Sequence, residues 1–184
     1  RGGGGVEGRA GARGCAAGRS DAPRGAFHDV PEELYEYYKG LDLSPGAFPR
    51  REGYPLPEKW DEDRLARIFA MIENIDQNIG RLVEALEAMG ILDETMIVYL
   101  HDNGPNTRRY TAGLRGMKSN VYEGGVRTPL FVRLPGAGPF GHTRDIPAAH
   151  LDIPPTGPAP SGGAAPARLG SPGARFPHLP AGGA

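Results

Sequence analysis

Between Leu65 and Met89 apolar residues recur at alternating spacings of three and four: Leu65, Ile68, Ile72, Ile75, Ile79, Leu82, Leu86 and Met89. That period lays one continuous stripe along an α-helix. Trp60-Asp61-Glu62-Asp63 places a capping oxygen and negative charge at its start, where both suit the helix dipole. Gly90 is placed to end it. At 1.5 Å per residue the helix spans roughly 40 Å. The same spacing would serve a coiled coil. The following residues favour a helix packed on a sheet, because Ile91-Leu92-Asp93-Glu94 is only a short link. Thr95 to Leu100 then reads as a buried strand rich in β-branched and apolar residues. One strong helix running into a buried strand is an α/β layer, and the expected fold class is α/β.

Upstream, Pro31 to Lys39 is expected to form a short helix that Gly40 ends. Leu41 to Lys59 carries Pro45, Pro49, Pro55 and Pro57 and reads as an ordered surface loop. Downstream, Thr128 to Leu134 is a second strand candidate whose Pro129 marks an edge or a bulge. A short element is expected around Ala148 to Ile153.

Gly and Pro make up about a quarter of the 184 residues and concentrate at the two ends. Residues 1–26 are nearly all Gly, Ala and Arg, and residues 157–184 nearly all Gly, Ala and Pro. Such segments lack the large apolar side chains that offset the entropy of ordering a backbone. They are read as low-complexity tails, with the compact domain at 27–156. The net charge of −1 gives no argument for a nucleic acid or a membrane surface as partner. A single cysteine, Cys15, excludes an internal disulfide and a cysteine-based zinc cluster. No apolar run approaches the length of a membrane span, and no signal peptide is visible. Oligomeric state and compartment are left open.

The residues that point to chemistry follow the strand. Met96 to Leu100 ends in His101-Asp102-Asn103, and Gly104 then turns the chain. Ligands in open α/β sheets sit beyond the carboxyl ends of strands. Asp102 and Asn103 offer a carboxylate and an amide oxygen, which suit calcium or magnesium rather than zinc or copper. A pair of ligands is short of the six or so that such a cation needs, and an Asp-Asn-Gly turn is the plain alternative. Lys118 sits in a glycine-flanked loop, where it can pair with an anionic substrate group or simply be solvated. Glu123-Gly124-Gly125 and Arg127 suggest a tight turn with an internal ion pair. Strand alternation points His101 away from Asp102. His28 and His150 lack spaced partners, so neither supports a zinc site.

Taken together, His101-Asp102-Asn103-Gly104-Pro105-Asn106, Arg109-Tyr110, Ala112-Gly113-Leu114-Arg115-Gly116-Met117-Lys118 and Val121-Tyr122-Glu123-Gly124-Gly125-Val126-Arg127-Thr128-Pro129 resemble the sulfatase family, and most of all its arylsulfatases. Ile72 to Leu82 resembles the family helix before the metal strand, and Ala149 to Thr156 its His-Ile-Asp-x-x-Pro-Thr stretch. The resemblance covers Phe27 to Thr156. It implies part of an alkaline-phosphatase-like α/β domain with a central sheet packed by helices. The family reaction it implies is hydrolysis of sulfate esters by a formylglycine nucleophile beside a divalent cation, calcium with magnesium as the alternative. By resemblance Asp102 and Asn103 are metal ligands and Lys118 contacts the sulfate. Many bacterial relatives are periplasmic or secreted.

Two family features are missing from the 184 residues: the early Asp-Asp metal pair and the Cys-x-Pro-Ser-Arg nucleophile motif. Cys15-Ala16-Ala17-Gly18-Arg19 keeps only the Cys and Arg spacing and lies in low-complexity sequence. No catalytic nucleophile is assigned and formylglycine is not supported. The expectation is the carboxyl-side part of a sulfatase catalytic domain, truncated and inactive by itself. The alternatives are a non-catalytic interaction module using the 61–89 helix, and a phosphoesterase relative in the same superfamily.

Overall fold

The structure is a computed structural model of the chain, and it describes residues 27, 29–135, 141, 143 and 147–153. The low-complexity segments 1–26 and 157–184, Cys15 and His28 lie outside the described residues. The described parts of 19–92 together with 98–132 form one compact unit, and those of 93–97 and 133–184 belong to another.

The larger unit is built on two helices, α1 (Glu32–Lys39) and α2 (Glu62–Ala88). α2 follows the apolar period. Asp61 caps it by accepting from the Arg64 backbone N–H at 2.9 Å, and Glu62 and Asp63 add negative charge to its first turn. It closes at Met89, and Gly90 then takes a left-handed φ of 70° that most side chains avoid. α1 stops at Gly40 as expected, but Gly40 is right-handed (φ −77°), so the stop is set by the chain leaving the helix and not by a left-handed cap.

The stripe is buried only at its start, and Ile75, Ile79 and Leu86 farther along are half-buried. Leu65, Ile68 and Met71 are buried, and Ala66 and Ala70 are fully so, which lets α1 approach closely. The core joins Tyr35, Leu43, Leu65, Ala66 and Ala70, with Phe48, Trp60 and Phe69 packed around them. Burying a side chain such as Leu65 contributes about 1.5–3 kcal/mol. Farther along, Ile72, Leu82 and Met89 are exposed. α2 packs along α1, and its Asp76 lies near enough to Tyr99 of the following strand to act on that phenol.

Two phenols tie α1 to α2 through polar contacts. The Tyr35 hydroxyl donates to the Asp63 carboxylate, which Arg67 also holds at 2.9 Å. The Tyr38 hydroxyl donates to Glu73 Oε2 at 2.6 Å. That bond, together with partial burial and the Glu73 charge, pushes the Tyr38 pKa up to about 12. The folded value lies above the unfolded one near 10, so this stabilisation is complete below about pH 10 and is lost as pH rises through 12. Ultraviolet titration of the phenolates is expected to show Tyr38 among the late-titrating tyrosines. Glu73→Gln should move it back toward 10; a titration indifferent to that change would refute the assignment.

β1 (Ile97–Leu100) pairs with β2 (Leu130–Arg133) in a two-stranded sheet. β1 starts two residues later than its β-branched run, and β2 begins just after Pro129, which has no N–H for the ladder. Thr128 Oγ1 donates to the His101 carbonyl at 3.3 Å, extending the join beyond the strands. A one-turn helix, α3 (Glu123–Val126), precedes β2. In the smaller unit Arg133 reaches Asp93 at 2.9 Å, and a single 3-10 turn at His150–Asp152 fulfils the expected short element.

Candidate active site

β1 ends at Leu100, and the chain turns at once through Asp102, Asn103 and Gly104. Asp102 is exposed and Asn103 half-buried. The Asn103 amide donates to Asp102 Oδ1 at 3.0 Å and to the Gly104 carbonyl at 3.3 Å. Those bonds orient both side chains and leave Asp102 Oδ2 and Asn103 Oδ1 without a hydrogen bond among the described residues. His101 turns the other way, as strand alternation requires: its Nε2 shares a 2.7 Å hydrogen bond with the Tyr99 hydroxyl. Burial and the negative charge of Asp76 raise the Tyr99 pKa.

Backbone contacts then fold the loop back on itself. The Gly104 N–H donates to the Gly125 carbonyl at 2.8 Å, and the Lys118 N–H to the Pro105 carbonyl at 2.8 Å. The Gly124 N–H donates to the Arg115 carbonyl at 2.7 Å. These bonds draw the Asp102–Asn103 turn, the Lys118 loop and α3 into one cluster. Glycine is needed because backbone meets backbone: a Cβ on Gly125 would lie 2.3 Å from the Asn120 carbonyl oxygen, and one on Gly124 2.6 Å from that of Gly116. The Glu123–Arg127 ion pair exists at 3.5 Å, but both side chains are exposed, so it belongs to the architecture and adds little stability.

Lys118 stands at the tip of a turn. The Asn120 N–H donates to the Met117 carbonyl at 2.9 Å, and the Met117 N–H donates to Asn120 Oδ1 at 3.2 Å. Ser119 takes a left-handed φ of 72° to make the turn, a conformation costly for a non-glycine residue. The side chain of Lys118 is thereby displayed to solvent. Two hard oxygen donors and an ammonium are therefore presented by one loop cluster. The donor chemistry fits calcium or magnesium, but the number does not: no group of three or more His, Cys, Asp or Glu able to hold a metal occurs among the described residues.

Comparison with known proteins shows what this arrangement belongs to. The family model described as Sulfatase matches residues 25–157. This chain belongs to the sulfatase family. Human arylsulfatase A is 39% identical over 87 residues, covering 45% of this chain and 17% of that protein. The choline-sulfatase of Rhizobium meliloti (strain 1021) is 36% identical over 141 residues, covering 67% of this chain and 26% of that protein. Among solved structures, the Bacteroides fragilis protein yidJ, assigned as a sulfatase, superposes with a TM-score of 0.50 at 26% identity, over 63% of this chain and 25% of that one. The fold is accordingly the alkaline-phosphatase-like α/β fold of the sulfatases. The sulfatase segment present here spans about a quarter, or less, of the length of these relatives.

Beneath the displayed residues of this sulfatase segment lie backbone contacts that leave little trace in the sequence. Gly53 and Gly113 meet backbone to backbone: a Cβ on Gly113 would lie 2.3 Å from the Glu52 carbonyl oxygen. The Tyr54 N–H donates to the Gly113 carbonyl at 2.7 Å. Both glycines take positive φ values, 121° and 81°. The available signal is that each lies in a polar loop with no apolar period to explain it. Arg109 is part of the family-like stretch, but nothing in the sequence marks it or Thr107 as buried.

Proposed function

We propose that this chain supplies the Asp102–Asn103 metal ligands and the Lys118 sulfate contact of a sulfate-ester hydrolase. The observation that supports the reading is the Lys118–Pro105 backbone bond, which fastens the lysine loop to the turn carrying the two oxygen donors. Asp102 Oδ2 and Asn103 Oδ1 would hold a divalent cation, calcium or alternatively magnesium, together with ligands not found among the described residues. Bound there, the cation would polarise and neutralise sulfate oxygens. Lys118 places a second positive charge where negative charge develops at the transferred group. The finer assignment, aryl sulfate esters as substrate, rests on the similarity to arylsulfatase A.

The 184-residue chain by itself is expected to give no turnover, because its sequence holds neither a Cys-x-Pro-Ser-Arg motif nor an Asp-Asp pair. The reading is tested by grafting residues 25–157 in place of the matching segment of the Rhizobium choline-sulfatase and assaying aryl and alkyl sulfate esters. The graft should hydrolyse them, and Asp102→Ala in the graft should lower kcat/KM by about 10²-fold or more. A graft that keeps its full activity after Asp102→Ala would sink the metal-ligand assignment. Hydrolysis by the isolated chain, lost on Asp102→Ala, would overturn the expected lack of turnover.

A further inference from the structure

Beside the N-terminal half of α2 lies a pocket that the proposed sulfate-ester site does not use. It is lined by Lys59, Arg64, Thr107, Arg108 and Arg109 against Trp60 and Leu65, and shares none of Asp102, Asn103 or Lys118. Its volume is about 30 Å³, and Asp61, Arg64 and Thr107 also line a wider cleft of about 370 Å³ beside it. Within the pocket Asp61 is neutralised by Arg64 at 3.2 Å. Lys59, Arg108 and Arg109 have no ion-pair partner among the described residues.

The buried atoms make the excess positive charge informative. Arg109 Nη1 and Thr107 Oγ1 are both buried, and neither has a hydrogen-bond partner among the described residues. A buried donor without an acceptor costs about 1–3 kcal/mol, and more when charged. Burial lowers the Arg109 pKa, so the surroundings disfavour its charge as they stand. What the pocket lacks is an acceptor carrying negative charge. A guanidinium fork, a hydroxyl and two further cations suit an oxyanion. A dianion neutralises more of this charge than a carboxylate does.

We propose that Thr107, Arg108 and Arg109, with Lys59, form a binding subsite for a tetrahedral oxyanion, a sulfate or phosphate group. The adjoining cleft takes the body of the molecule that bears it. Its volume lies within the range of small-molecule sites, about 300–1,000 Å³. The subsite goes beyond the hydrolase reading, and it binds whether or not the chain supports turnover.

The test titrates the full chain with sodium sulfate, sodium phosphate and sodium acetate at fixed ionic strength. The readout is the arginine side-chain Nε–H resonances by NMR. Sulfate or phosphate should give saturable shifts of the Arg109 resonance, with acetate much weaker; the ratio of the first two shows which group is preferred. Arg109→Met should weaken binding about tenfold or more, the loss of one charge-assisted hydrogen-bonding group. Thr107→Val and Arg108→Ala, which leave Arg109 in place, should each weaken it less and keep the proposal testable if Arg109→Met does not fold. Shifts linear in salt, acetate binding as tight as sulfate, or a constant unchanged by Thr107→Val and Arg108→Ala would overturn it. The first of these would mean that water alone satisfies the pocket.

Discussion

Gly104→Ala is expected to destabilise the domain by about 3 kcal/mol or more, through overpacking and the loss of a backbone hydrogen bond. The added Cβ would stand 1.9 Å from the Gly124 carbonyl oxygen, 2.9 Å from its carbon and 3.0 Å from the Gly125 Cα. All three are backbone atoms, so no side chain can rotate away. Nor can α3 retreat freely: Gly124 already donates to the Arg115 carbonyl at 2.7 Å, and Gly125 to that of Tyr122 at 2.8 Å. Any shift of Gly104 breaks its own bond to Gly125 and separates the Asp102–Asn103 turn from the lysine loop. The requirement at Gly104 is for space, since its φ is not positive. Gly80 is the control. It lies within α2 with nothing inside 4 Å of its Cβ position, and Gly80→Ala should stabilise by about 0.5–1 kcal/mol. Urea midpoints of the two variants should move in opposite directions. A Gly104→Ala chain as stable as the parent would show that the cluster is looser than drawn.

The same contacts explain what can be read from the sequence. The Leu65–Met89 helix is legible because its period depends only on neighbours in sequence. How much of it is buried depends on α1, and the sequence cannot show that Ala66 and Ala70 are the points of contact while Ile72 is exposed. Asp102, Asn103 and Lys118 are legible as a motif. Their joining is carried by backbone bonds between residues 104 and 125 and between 105 and 118, which leave no trace in side-chain chemistry. The burial of Arg109 is invisible for a related reason. An arginine in a polar loop reads as solvated, and its buried Nη1 follows from packing near Trp60 and Leu65, far away in the chain.

Lys118→Ala should do the reverse of Gly104→Ala: remove chemistry and leave architecture. In the grafted enzyme it is expected to lower kcat/KM by about 10²–10³-fold, the effect of deleting one group that stabilises developing negative charge. The thermal midpoint should hardly change. The lysine is exposed, and its place in the fold rests on its backbone N–H to Pro105 and on the Met117–Asn120 turn, both of which alanine keeps. Lys118→Arg should recover part of the activity, because charge is kept while the compact ammonium becomes a planar fork of different reach. Substrate carrying a better leaving group should narrow the deficit only if Lys118 acts on the ester oxygen. A deficit independent of the leaving group places its charge on the non-bridging sulfate oxygens, as a contact to the transferred group requires. Full activity in Lys118→Ala would remove the lysine from the site. A lowered midpoint with proportionate loss of activity would make it a structural residue of the turn.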